Sequence, residues 1–272
     1  MKFSALLSLY YKEKAEYFHR CMVSVCKEQT QVPDEVVVVL DGKLTEELYD
    51  ALAHWQKMLG DTLKCVVLQE NQGLGYALDA GLKNCSYELV ARMDTDDIAY
   101  KDRFAMQLHI FRENQIDLCG SWVDEFEDDE KTILACRKVP ENHEQIAKFA
   151  KQRNPINHPS VMYRKSVVLQ AGGYKEMRWF EDYFLWVRML QHGSRFYNIQ
   201  QPLVAMRAGD AQLERRGGLG YAKEELRFLK ELYSIKFLSK IEFLQVALVR
   251  IPSRLLPRKL LRWVYGVVRG VG

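Results

Sequence analysis

The chain has 272 residues, 48% hydrophobic and 28% charged, with 16 Gly and 7 Pro, a composition that excludes disordered, collagenous and low-complexity classes and can fill one large core or two small ones. Six cysteines are scattered without a CxxC pair and six histidines lack HExxH spacing, which excludes a disulfide framework and the common zinc signatures; the thiols read as reduced core residues of a cytosolic protein. No apolar run approaches the roughly 18 residues that span a bilayer.

In chain order, residues 3–9 read as a buried strand rather than a signal peptide, because no small-residue cleavage site precedes Lys12-Glu13-Lys14. Phe18, Cys21, Met22 and Val25 give residues 15–29 one apolar helical face. Residues 36–40 form a β-branched run suited to a parallel strand buried on both faces. Asp41-Gly42 follows, then a helix capped by Thr45 with Glu46 and Glu47 in its first turn and Leu48, Leu52, Trp55 and Leu59 behind. A strand at 65–68, a helix opened by Asn71-Gln72-Gly73 and running through Leu78 and Leu82, and a strand at 88–93 complete a βαβαβαβ series. That alternation predicts α/β architecture with a mostly parallel sheet, whose ligands lie beyond the carboxyl ends of the strands.

The second half reads differently. A helix carries Phe104, Leu108 and Phe111, with Asp102 as its cap, and strands fall at 117–123 and 132–137 around the acidic stretch 125–130. A helix around 141–152, an extended segment at 155–162, a short helix at 166–170, a Gly172-Gly173 turn and a helix at 181–191 stopped by Gly193 follow without a linker.

Asp41, Asn71 and the run beginning at Asp94 stand at three strand ends. Asp94-Thr95-Asp96 has i, i+2 spacing, which in extended backbone aims both carboxylates to one side. With Asp97 they make a hard-oxygen cluster suited to Mg²⁺ or Mn²⁺; the alternative is a solvated acidic turn. Like charges about 4 Å apart repel by roughly 4 kcal/mol at an effective dielectric of 20, so something must offset the crowding.

The motifs "VVVLDG", "NQGLGYALDAGL", "LVARMDTDD" and "FEDYFLWVRM", in this order over about residues 3–220, resemble glycosyltransferase family two, and within it enzymes of bacterial O-antigen and exopolysaccharide assembly. The resemblance implies a GT-A fold, with a Rossmann-like nucleotide-sugar half over 1–103 and an acceptor half over 104–235; the basic amphipathic tail over 236–272 lies beyond the motifs that carry it. It implies inverting, metal-dependent transfer of one sugar from a nucleotide sugar, UDP-sugar favoured, to a lipid-linked glycan. By the same resemblance Ser8 and Tyr10 border the base, with Leu9 between them, Asp41 meets base or ribose, and Asn71 and Gly73 lie by the ribose. Arg92 and Asp94 face sugar and nucleotide, Asp96 ribose or metal, and Asp97 the Mn²⁺ or Mg²⁺. Asp182 is the implied general base beside Glu181, in an aromatic setting that desolvates it. His158 and Gly173 fall on the acceptor side, and Arg207, Arg215 and Arg216 form a basic loop toward the diphosphate. Asp41 also reads as a turn residue, the 181–182 pair as a favourable charge at a helix start, His158 as a structural histidine, and the arginines as solvated.

The chain departs from the family where Ser8 replaces Pro, Tyr11 replaces Asn, Leu78-Asp79 replaces Arg-Asn, and Asp41-Gly42-Lys43 carries one carboxylate fewer than usual. These leave the base identity open. A QxxRW motif is absent, against a processive synthase.

Residues 236–272 hold eight Lys/Arg and one acid, Glu242, a net of +7; the preceding residues hold 31 basic and 35 acidic, a net of −4. Phe237, Leu238, Ile241, Leu244, Leu248, Ile251 and Leu255 recur among the cations at near-helical spacing, with Trp263 and Tyr265 beyond. This predicts a helix on an anionic membrane surface, at the cytoplasmic face of the cell membrane; the alternative is a helix packed on the body, and Pro252 and Pro257 predict breaks. Nucleic acid is not expected, since aliphatics dilute the cations. Two other functions compete: a sugar-phosphate nucleotidyltransferase, whose Gly-rich cationic loop Ser8-Leu9-Tyr10-Tyr11 does not supply, and a non-catalytic nucleotide- or membrane-binding relative, which needs no Asp182.

Overall fold

The computed structural model describes residues 1–208 and 217–254. Strands β1 (Phe3–Leu9), β2 (Glu35–Asp41), β3 (Leu63–Leu68) and β4 (Leu89–Asp94) run parallel in the order β3-β2-β1-β4. Helices α1 (Ala15–Cys26), α2 (Glu46–Leu59) and α3 (Leu74–Asn84) make the crossovers between them. Alternate side chains divide the core between the two faces: Phe3, Ala5, Leu7, Val36 and Val38 meet Phe18, Leu48 and Trp55, while Leu6, Val37 and Val39 meet Leu78 and Leu82. Strands buried on both faces need no polar alternation, which is why β2 reads EVVVVLD. Thr45 Oγ1 caps α2 by accepting from the Leu48 N–H.

Beyond β4 the sheet continues through β8 (Met162–Arg164), β6 (Leu118–Phe126), β9 (Phe196–Arg207) and β5 (Ile98–Ala99), with β7 (Ala135–Arg137) on β6. β8 is antiparallel to both neighbours, whereas β6 and β9 are parallel. Helices α4 (Arg103–Glu113), α5 (His143–Phe149), α6 (Lys165–Gln170) and α7 (Glu181–Gln191) cover this half. α7 ends in a Schellman motif, the Ser194 N–H reaching Met189 O and the Gly193 N–H reaching Leu190 O, with Gly193 at φ +83°.

Helix α8 (Gly218–Ser234) buries Phe228, Leu229 and Leu232 against Phe180, Tyr183, Phe184 and Val187 at the start of α7. Helix α9 (Lys240–Arg254) folds back on α8, started by a capping box in which Glu242 N–H and Ser239 Oγ, and Ser239 N–H and Glu242 Oε2, are paired. Its inner face lays Phe243, Val246, Ala247 and Ile251 on that cluster, and Arg250 and Arg254 both pair with the fully buried carboxylate of Glu225. Its outer face leaves Ile241, Leu244, Leu248 and Val249 exposed, by 69%, 48%, 73% and 73%.

Several expectations are corrected. Residues 155–162 are not uniformly extended, since His158–Ser160 form a 3₁₀ turn. The Asp102 side chain does not cap α4; it accepts from Thr30 Oγ1 at 2.5 Å. Pro252 does not break α9, because it falls in the last turn and the carbonyl it leaves unpaired lies at exposed Leu248. Leu9 points into the core rather than toward a ligand. Arg215, Arg216 and the tail from 255 onward lie outside the described residues. Among the described residues no helix is long and apolar enough to cross a membrane.

Candidate active site

The site forms where β1 and β4 lie side by side while their crossovers leave in opposite directions, the switch point of the sheet. Ser8 and Asp94 are register partners there. β4 ends at Asp94, and a turn closed by the Asp97 N–H on Asp94 O (3.4 Å) carries Thr95 and Asp96. Asp94 and Asp96 therefore do not share an extended backbone; the turn, not strand alternation, sets their directions.

Each carboxylate has its own surroundings. Asp94 takes a two-pronged ion pair from Arg92, Nη1 to Oδ2 at 2.6 Å and Nη2 to Oδ1, while Arg92 itself is 1% exposed. Asp97 is 2% exposed; Oδ1 accepts from the Arg207 backbone N–H at 2.8 Å and Oδ2 is buried without a donor. Burial, then Asp96 and Asp94, hold the Asp97 carboxyl well above the usual range. Burial, then Asp94 and Glu13, push Asp96 up to about 7. Arg92 thus neutralises one of the three charges and leaves two crowded acids.

Two partners of this turn carry no sequence signal. Glu13 Oε2 accepts from Thr95 Oγ1 at 3.0 Å, adding a fourth acid. Arg103, fully buried, donates to Arg92 O at 2.6 Å and stands beneath the turn; burial and Arg92 push its guanidinium down to about 9. An acid in a loop and an arginine in a helical stripe look like surface residues until the fold buries them.

At the end of β2, Asp41 (2% exposed) accepts from Asn71 Nδ2 at 2.9 Å, Gln72 N–H at 2.7 Å and Gly73 N–H at 3.0 Å, which shapes the loop that starts α3. Gly73 sits at φ +91°. Tyr10 is exposed at the mouth, edge-on to Tyr11. Across the crevice, Glu181 lies against α3, a Cβ at Gly75 standing 3.4 Å from its own. Burial, then Asp182, push Glu181 up to about 7. Burial also raises Asp182, opposed by the amide of Asn154, whose Nδ2 donates to Oδ2 at 2.7 Å.

His158 Nε2 lies 3.0 Å from Tyr174 Oη and its ring meets Trp186; burial, then Arg92, push its pKa well below the usual range, so it is neutral. At Gly173 (φ +63°) the close approach is made by Asp79, whose Oδ1 would stand 2.1 Å from a Cβ and accepts from the Tyr174 N–H at 3.1 Å. Arg207 ends β9, with Nη1 donating to Glu127 O at 2.6 Å and its guanidinium over the Tyr17 ring. The fold thus gathers Ser8, Arg92, Asp94, Asp96, Asp97 and Arg207 around one turn, sets Asp41, Asn71 and Gly73 at the neighbouring strand end, and brings Glu181 and Asp182 opposite.

Among the described residues no three His, Cys, Asp or Glu side chains converge to hold a metal ion unaided. Mg²⁺ and Mn²⁺ need fewer: one or two carboxylates, completed by phosphate and water oxygens. The donorless Asp97 Oδ2 and the crowded Asp96 fit that set.

A sequence profile described as glycosyl transferase family 2 matches residues 8–171. The chain is 37% identical to the Escherichia coli UDP-Gal:alpha-D-GlcNAc-diphosphoundecaprenol beta-1,3-galactosyltransferase, over 97% of this chain and 95% of that one. It is also 37% identical to the amylovoran biosynthesis glycosyltransferase AmsE of Erwinia amylovora, over 97% of each. Residues 1–349 of Staphylococcus aureus TarS, solved with UDP-GlcNAc, share its fold at TM-score 0.67 and 18% identity, covering 91% of this chain and 70% of that one. The chain is a GT-A-fold glycosyltransferase and belongs to glycosyl transferase family 2.

Proposed function

We propose that the chain transfers one sugar, with inversion, from a UDP-sugar to a lipid-linked glycan in bacterial surface polysaccharide assembly. The observation that carries this reading is the half-buried Glu181–Asp182 pair facing the Arg92–Asp94 turn across the switch point. The acceptor class follows the diphosphoundecaprenol substrate in the galactosyltransferase's name, and AmsE's name carries the polysaccharide context.

In this reading Ser8, Tyr10, Asp41, Asn71 and Gly73 border the nucleoside, and Arg92 and Asp94 orient the sugar. Asp96 and Asp97 would hold Mn²⁺ or Mg²⁺, with Arg207 beside them, and the cation would offset the charge of the departing diphosphate. An acceptor hydroxyl oxygen bonds to the anomeric carbon as the bond to the nucleoside diphosphate breaks. Its proton passes to Asp182, whose burial raises its affinity for one. Single displacement inverts the anomeric centre.

The test is thermal shift of the full chain with UDP-, GDP- and dTDP-sugars, with Mn²⁺ and with EDTA. A metal-dependent rise with one nucleotide class is expected; no shift with any sugar in the presence of metal refutes transferase activity. NMR of the product then reads the anomeric configuration.

The outer face of α9 suits an anionic bilayer at the inner face of the cell membrane. Four exposed aliphatics form its stripe, and beyond it residues 255–272 carry Arg258, Lys259, Arg262 and Arg269 with no acid. Packed on the body through one face, α9 keeps the other for lipid, so the two readings of the tail are compatible.

A further inference from the structure

Asp182 is gripped from outside its own helix. Asn154 Nδ2 donates to Asp182 Oδ2 at 2.7 Å, while Asn154 Oδ1 accepts from the Ile156 backbone N–H at 3.3 Å. A main-chain N–H is only a donor, so it fixes the amide's oxygen end and leaves the nitrogen end for the carboxylate. The segment behind Asn154 is strapped to the sheet. Asn157 Nδ2 donates to Ser121 O (2.9 Å) and Arg137 O (3.1 Å), Asn198 Nδ2 donates to Pro155 O (3.2 Å), and Ile156 is fully buried.

We propose that Asn154 is a positioning residue for the transfer, pinning Oδ2 of Asp182 so that Oδ1 takes the acceptor's proton, and holding the carboxylate in its ionised form. This rests on the reading of Asp182 as base. A carboxylate at the start of a helix can swing about χ1 and χ2; an amide anchored to another element removes that freedom before substrate arrives. Groups facing Asp182 are Glu181 on its own helix, Arg92 from β4, Arg137 from β7, and the Tyr174 and Tyr183 hydroxyls. Burial opposes the carboxylate, while the Asn154 amide, then the Tyr183 main-chain N–H and the Arg137 and Arg92 guanidiniums, favour it, so losing the Asn154 donor moves Asp182 toward the protonated form.

The test follows the full chain with UDP-galactose and a GlcNAc-diphosphoryl-lipid acceptor across pH. Asn154→Ala should lower kcat about 10- to 100-fold and leave the UDP-induced thermal shift and the donor KM unchanged. The acid limb of kcat should move to higher pH, and further still in Asn154→Asp. Asn154→Ser, which keeps a donor, should recover part of kcat. Unchanged kcat, or a fall with the acid limb unmoved, overturns the proposal. A second readout needs no substrate: ¹³C NMR titration of aspartate carboxyls, with Asp182 identified by its loss in Asp182→Asn, should show the Asp182 midpoint rise in Asn154→Ala. An unmoved midpoint overturns the role in ionisation even if wild type fails to turn over these substrates. Full turnover in Asp182→Asn instead overturns the base assignment itself.

Discussion

Asp97 and Arg207 lie 110 residues apart and meet through one hydrogen bond, the Arg207 main-chain N–H donating to Asp97 Oδ1 at 2.8 Å. That bond ties the acidic turn to the end of β9 and leaves Oδ2 of a buried acid without a donor. The folded chain tolerates the carboxylate at a cost, because its pKa is raised by burial and by Asp96 and Asp94. A raised acid lowers stability as pH climbs past its unfolded value. Asp97→Asn keeps the oxygen for Arg207 and removes the charge. The free variant should melt a few degrees higher than wild type at about pH 8, yet lose the Mn²⁺-dependent part of the UDP thermal shift. Melting curves of both proteins with and without Mn²⁺ and UDP check this.

Glu181 gives a second pH dependence. Its folded pKa is about 7, raised by burial and then by Asp182, against 4.5 unfolded. The stability it contributes is complete below about pH 4.5, declines as pH rises through 7, and is level above. Glu181→Gln should flatten the melting temperature over that window relative to wild type. A pH series of thermal melts in buffers of matched ionic strength reads the difference.

The buried Glu225 with Arg250 and Arg254 clamps α9 to α8. Removing one partner of such a group strands charge in the interior, at a cost of about 3–5 kcal/mol. Glu225→Ala should lower the melting temperature by on the order of 10 °C. UDP affinity should stay near wild type, since the clamp of Glu225 with Arg250 and Arg254 includes none of the residues around the Asp94 turn. Calorimetry with a UDP titration separates the two effects.

For α9, truncation at residue 235 is a poor probe, because it uncovers Phe180, Phe228 and Leu232. Replacing Ile241, Leu244, Leu248 and Val249 with Ser leaves the packed face intact. The quadruple variant should melt like wild type and float at least tenfold less with vesicles of 30% phosphatidylglycerol in phosphatidylcholine, each aliphatic adding roughly 1 kcal/mol of interfacial burial. Equal flotation would move the contact to residues 255–272, and a lower molecular mass in light scattering would assign the face to a second copy.

The first four strands and their helices were legible in the sequence because two-sided burial writes itself as β-branched runs, as in β2, and because Thr45 sits at a helix start where its chemistry is specific, as Gly193 does at the end of α7. The second half hid more. β9 pairs with β6 over its whole length yet has no readable alternation, since Pro202 stands opposite Trp122 where the register shifts twice. β5 is two residues long, below any pattern. α8 repeats Tyr221, Phe228 and Leu232 on one face, but buried Glu225 interrupts the stripe as though the face were wet. The Asp94 turn announced itself by crowding; Glu13, Arg103 and Asn154, which complete its setting and that of Asp182, depend on contacts between segments far apart in the chain.

The fit of Gly173 against Asp79 has a consequence for how this enzyme can vary. With an acid at position 79 whose oxygen would stand 2.1 Å from any Cβ at 173, the two positions are locked as a pair. Any side chain placed at 173 alone must both displace the Asp79 carboxylate and take up a left-handed backbone at φ +63°. Shortening Asp79 removes the clash and leaves the backbone at φ +63°, so Asn, which tolerates that region, comes within reach only after the change at 79, and the order of substitutions, more than their number, decides which neighbouring sequences this chain can reach.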